Sequence, residues 1–203
     1  MFLVADQYPT PQENTILYKS PQIASYLYPA HQTLKNPKMW ECKVENPSQN
    51  QYMAKSNQIS IIKEISHDFP TIEQRINCSI LCSLSLVVNP IFKSWTINYL
   101  NKTDQTKETA EKILDQLLDY EDNVLNPEYN YVYAAISTLG SVLPSGAHRA
   151  AISSGLLNDP LFLTANSILR VISDSKEFSL NIDLEKIIQI CNMLDSQAIA
   201  ELL

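Results

Sequence analysis

Glycine is scarce in this chain. Three occur among 203 residues, Gly140, Gly146 and Gly155, all within one sixteen-residue stretch, where ordinary usage is about 7%. A glycine-rich loop that cradles phosphates therefore has no place elsewhere in the sequence. Cysteine is sparse too. Cys42, Cys78, Cys82 and Cys191 are the four present, and no two show the C-x-x-C spacing of a zinc knuckle or a redox motif. Long apolar runs are missing. The most apolar window, Ile80 to Val88, is broken by Ser83 and Ser85 and falls far short of the ~20 residues that span a bilayer. The opening MFLVADQYPTPQEN has an aspartate inside its apolar run and no basic residue before Lys19, unlike a secretory signal. The expectation is a soluble, cytoplasmic protein with reduced thiols and no membrane partner.

Apolar material is present in quantity. Hydrophobic residues make up 45% of the chain, enough for a core and too many for wholesale disorder. The net charge is −7, from 15 basic and 22 acidic side chains. Six of each lie in residues 1–68, so the whole imbalance falls in the remainder. Between Asp104 and Glu128 eight acids meet two lysines. Such a surface repels a phosphate backbone, so direct nucleic-acid binding is disfavoured.

The patterning changes near Pro70. Before it, Phe2–Ala5 and Ile16–Tyr18 read as short strands, and Ser20-Pro21 as a helix cap followed by proline in the first turn. Trp40 to Glu45 alternates apolar and charged residues, the signature of a half-buried strand. Ile59–Ile65 is rich in isoleucine and reads as the last strand. After it, helical spacing takes over. Thr71 and Gln74 fit a capping box, with Ile72, Ile76, Ile80, Leu81, Leu84 and Val88 as the apolar stripe. Asn89-Pro90, Asn126-Pro127 and Asp159-Pro160 stop one helix and start another. Asp104 and Asp183 are read as further caps. Phe162, Ala165, Leu169 and Ile172 are expected to face inward from the helix after Pro160. The fold class is therefore α+β: a small mixed α/β N-terminal unit, residues 1–68, followed by a mostly α-helical bundle, residues 69–203. Strand order is not legible at this level.

Several residue sets invite a chemical reading. Cys78 and Cys82 share a helix face and are two potential ligands for a soft metal, with Cys42 and His67 as further candidates. Burial among the apolar stripe is the simpler account. His31, His67 and His148 lack a neighbouring nucleophile motif such as G-x-S-x-G. Glu41 and Glu45 flank Lys43 on one face of a strand and form a possible acid–base pair, or simply a solvated face. Tyr26, Tyr28 and Trp40 make either an aromatic interface patch or the cover of a small core. Asp115, Asp119, Glu121 and Asp122 belong to the acidic stretch, which reads as a solvated helix face or as a contact surface that imitates nucleic acid. These nine residues, Tyr26, Tyr28, Trp40, Glu41, Glu45, Asp115, Asp119, Glu121 and Asp122, are the candidate interaction surface. No catalytic residue, metal or cofactor is assigned.

Two stretches carry a resemblance. Tyr18-Lys19-Ser20-Pro21, Tyr26, Tyr28-Pro29, Trp40 through Glu45, and Ala54-Lys55 through Ile65 are similar to an uncharacterised domain-of-unknown-function family of phage and bacterial accessory proteins, without the glycine-rich, cysteine-containing opening usual there. Glu73-Gln74-Arg75-Ile76, Asn89-Pro90, Phe92, Trp95 and Tyr99-Leu100 look like the helical segment that follows it. The resemblance implies an accessory protein of phage or mobile-element origin, such as an inhibitor or regulator of a host complex, and no catalytic residue. The expected function is a non-enzymatic protein–protein interaction module. The alternatives are a nucleotide-acting enzyme, for example one of ADP-ribosyl transfer, using Tyr18, His31 and Glu41 or Glu45, and an oligomeric scaffold.

Overall fold

The computed structural model describes residues 1–10, 15–31, 34–85, 89–123, 129–143, 159–177 and 182–193. The chain divides into two compact units, Met1–Pro70 and Thr71–Leu203.

The first unit is a six-stranded antiparallel sheet with one helix. Its strands are β1 (Phe2–Ala5), β2 (Thr15–Tyr18), β3 (Lys38–Val44), β4 (Ser48–Gln49), β5 (Met53–Ser56) and β6 (Ile59–Ile65). They lie in the order β4-β5-β2-β1-β3-β6. The helix α1 (Pro21–Leu27) starts where Ser20 accepts from the Ile23 amide at 3.2 Å, with proline in its first turn, as the local sequence requires. A 3₁₀ turn at Tyr28–Ala30 follows it.

Pairing sorts the side chains onto two faces, because residues directly opposite across strands point the same way. Leu3 stands opposite Trp40, and Leu17 opposite Ala54. Leu3, Leu17, Trp40 and Cys42 form one buried cluster, edged by half-buried Met1, Ala5, Val44, Ile59 and Ile61. On the other face Val4, Tyr18 and Met39 are buried, and α1 packs on β1 and β2. The alternation expected for residues 40–45 forms: Trp40 and Cys42 are buried and Val44 half-buried, while Lys43 and Glu45 are exposed and Glu41 is half-buried. Met39, just before it, points to the opposite face from Trp40 and is buried as well.

The second unit contains α2 (Ile72–Leu84), α3 (Pro90–Leu100), α4 (Lys107–Asn123), α5 (Tyr129–Val142), α6 (Pro160–Glu177) and α7 (Leu184–Met193). The capping box forms: Thr71 accepts from Gln74 N, and Gln74 Oε1 accepts from Thr71 N at 2.8 Å. Asn89 caps α3, and Asp183 accepts from Lys186 N at 3.0 Å to cap α7. Ile72, assigned to the inward stripe, is exposed in the first turn. From Arg75 to Ser83 nearly every residue is buried, because α5, α6 and α7 all pack around α2. The buried face of α6 is also displaced from the expected one. Leu163, Ala165, Ile168, Val171 and Ile172 are buried, while Phe162 and Leu169 are half-buried.

Asp104 does not cap α4 directly. Its carboxylate accepts from Thr106 N at 3.0 Å and from the hydroxyls of Thr106 and Thr109 at 2.7 and 2.8 Å. These bonds, the one from the Thr106 amide first, lower its pKa from the ordinary carboxylate value. The first turn of α4 is closed instead by the Thr106 carbonyl, which accepts from Ala110 N. The expected features at Asn126-Pro127, His148 and Ser196, the end of the stripe at Val88, and the turn at Pro144 fall outside the described residues.

Candidate interaction surface

The three aromatic candidates do not form an exposed patch. Tyr26 is 1% exposed, Tyr28 4% and Trp40 7%. Tyr26 lies on the buried side of α1. The Tyr28 ring meets Phe69 edge to face, with centroids 5.7 Å apart. All three cover the core, the use a small unit makes of large rings. Among the described residues, the exposed aromatic is one the sequence did not single out. Tyr8, 67% exposed, stands on Trp40 with centroids 5.3 Å apart and planes at 79°. The buried indole N–H of Trp40 finds no acceptor among the described residues. Tyr8 sits in a non-repeating loop after β1, where no periodicity marks it.

The edge strand β6 carries the charged side of this region. Lys38 and Glu64 pair at 3.1 Å, and Lys63 and Glu41 at 3.6 Å. The register slips between Glu41 and Cys42, whose partners are Lys63 and Ile61. Ile62 is the extra residue of this bulge and is 56% exposed. Bulges and paired charges guard a sheet edge against further strands. Glu45, exposed, follows β3, where its backbone bonds Gln58 and Ser56, and Asn46 next to it takes a left-handed φ of 47°. Glu41 therefore belongs to a cross-strand ion pair, and Glu45 to a turn.

Of the residues of the enzyme alternative, Tyr18 and Glu41 lie on β2 and β3, with β1 between them. Phe2 pairs with Tyr18 on one side and Glu41 on the other. Two strand spacings, about 9.5 Å, thus separate the backbones of Tyr18 and Glu41. Burial, then the neighbouring Tyr28, pushes the Tyr18 phenol far above its usual pKa. His31 lies beside Tyr18, with ring centroids 6.2 Å apart. Partial burial, then the Lys55 ammonium, lowers its pKa. His67 meets Phe69 edge to face, and burial likewise lowers its pKa against the opposing charge of Asp68.

All four cysteines are buried and unbridged. Burial pushes the Cys42 thiol up to about 11, and its Sγ donates to the Trp40 carbonyl. Burial pushes the Cys78 thiol well above its ordinary pKa, and the neighbouring Cys191 and Cys82 add to the rise. Among the described residues no group of three or more ligating side chains is placed to hold a metal ion.

In the helical unit, Ala110, Ile113, Leu114 and Leu117 bury one side of α4. Glu108, Glu111, Asp115 and Asp119 recur at spacings of three and four on its exposed side. Glu121 and Asp122 lie in the same helix, and their side chains fall outside the described residues. No helix among the described residues is long and apolar enough to cross a membrane. No family model, no curated protein and no solved structure matches this chain.

Proposed function

We propose that the protein is a non-enzymatic binding module that acts by contact with another protein, an accessory protein of the phage or mobile-element kind. The observation that carries this reading is the seating of Tyr8 on Trp40. A tyrosine two-thirds in solvent, held edge-on by a buried indole, is an anchor whose geometry is set before a partner arrives. Lys38 and Glu64, which lie on the same face of the sheet as Trp40, supply the polar surround such anchors have. The side chains an acid–base enzyme would use have other employment: Tyr18 is buried, and Glu41 is paired to Lys63. The acidic side of α4, with Asp115 and Asp119, favours a partner that presents positive charge.

The test is capture from an extract of the natural source by immobilised protein. Wild type and Met193→Ala, a substitution at an exposed residue of α7, are expected to retain one stoichiometric partner. Tyr8→Ala is expected to lose it. Equal retention by Tyr8→Ala, or no partner for wild type under mild conditions, overturns the proposal.

A further inference from the structure

Ser66 to Pro70 connects the end of β6 to the Thr71 cap of α2, and so joins the two units. It forms neither helix nor strand, yet it is fastened to the first unit. The Phe69 ring meets Tyr28 of the 3₁₀ turn edge to face, with centroids 5.7 Å apart, and Tyr28 is almost wholly buried. His67 meets the same Phe69 ring with centroids 5.6 Å apart and planes at 84°. Three rings in a row therefore hold the connector to the turn that follows α1. The Nε2 atom of His67 is buried and has no hydrogen-bond partner among the described residues.

We propose that this stack is a clasp released by protons: charging His67 frees Ser66–Pro70 from the first unit and leaves it as a slack tether between β6 and α2. A neutral imidazole carries one N–H, and an imidazolium carries one at each nitrogen. Once charged, Nε2 has a proton to donate where no acceptor stands, and an unpaired buried charge is expelled toward water. The proton comes from solvent, and the charged ring turns out to meet it. Phe69 then loses one of its two ring partners. The titratable groups beside this ring are Asp68, next to it in the chain, and Tyr28, the other partner of Phe69. The Asp68 carboxylate favours the charged ring and so opposes release. Burial outweighs it, and the His67 pKa lies below the ordinary histidine value.

The change is local. Tyr28 stays in its turn beside α1, and β6 keeps its pairing with β3. A short segment outside regular structure opens at less cost than the fold around it. Release of the connector is thus a separate event from the loss of the first unit, and it occurs while both units remain folded.

The full chain is digested with glutamyl endopeptidase in phosphate at about pH 7.5 and about pH 5, on either side of the ordinary histidine value. A synthetic peptide spanning Ile59–Ile72 is the reference for the protease's own response to pH. Cleavage after Asp68, relative to that peptide, is expected to rise about tenfold or more on acidification, with the circular dichroism unchanged. His67→Phe keeps a ring against Phe69 and removes the titrating nitrogens, so its cleavage should stay slow at both pH values. Phe69→Ala should be cut fast at both. In the unaltered chain, the NMR titration of the His67 ring should share its midpoint with the rise in cleavage, a comparison that holds even where a variant folds poorly. A relative rate that does not change with pH, a His67→Phe response equal to that of wild type, separate midpoints, or a rise that comes only with loss of the circular dichroism signal overturns the proposal.

Discussion

Thr138 and Ser167 hold their hydroxyl oxygens 2.8 Å apart where α5 meets α6, and Ser83 of α2 lies 3.0 Å from each. Ser167 also donates to the Ala134 carbonyl at 3.0 Å. All three hydroxyls are buried, so each depends on the others for the partners that water would have supplied. Short side chains here let three helices approach closely, and the ring of hydroxyls fixes their relative position.

Thr138→Val removes one member of that ring and keeps its shape. It is expected to destabilise the second unit by about 1–3 kcal/mol, the cost of stranding buried hydroxyl groups. Replacing Ser83, Thr138 and Ser167 together by apolar residues should cost less than the sum of the single changes. Urea unfolding of the single and triple variants checks both statements.

The N-terminal caps lend themselves to single substitutions. Thr71→Ala deletes the acceptor for the Gln74 amide and is expected to cost about 1 kcal/mol, and Asp183→Ala about the same for the Lys186 amide. Thr71→Ser should recover most of the loss. Midpoints of chemical denaturation measure it.

Acid should weaken the first unit through its histidines. Burial lowers the pKa of His31, with Lys55 adding to the effect, and lowers that of His67 against the pull of Asp68. The unfolded chain therefore binds protons more readily than the folded one. Stability stays level above the ordinary histidine value of about 6.5 and falls as pH drops through it toward the folded-state values. Urea midpoints followed by Trp40 fluorescence between about pH 7.5 and 5 should show this fall, with Trp95 replaced by phenylalanine to isolate the signal. His31→Asn combined with His67→Asn should flatten it.

Deletion of Ile62 should remove the bulge while leaving Ile61 opposite Cys42 and Lys63 opposite Glu41. The edge then becomes a regular run of pairing groups, and the variant is expected to self-associate at concentrations where wild type does not. Light scattering across a dilution series reads the difference. Unchanged scattering would show that the bulge is not what guards this edge.

Much of the fold was legible where its cause is local. The Ser20, Thr71, Asn89 and Asp183 caps each bond an amide two or three residues away, so the short sequence contains both partners. The limits of β6 followed from its isoleucines. Strand β5, Met-Ala-Lys-Ser, was not read because its residues have little β preference and its partner β2 is far off in sequence. Asp104 misled because its carboxylate bonds the Thr106 amide ahead of α4 and the Thr109 hydroxyl within it, rather than a backbone amide of α4. The candidate surface was the least legible part. Tyr26, Tyr28 and Trp40 gave no sign of which side α1 would cover, and Tyr8 carried no pattern at all.

Strand β1 lies between β2 and β3, yet the chain reaches it before either. As the polypeptide is synthesised, these four residues leave the ribosome before either strand they pair with. One neighbour arrives with Thr15–Tyr18, and the other must wait for Lys38–Val44. The middle of the sheet is thus completed around its first-made strand, before β4, β5 and β6 exist. Until then an apolar tetrapeptide stands open to whatever strand or chaperone meets it first.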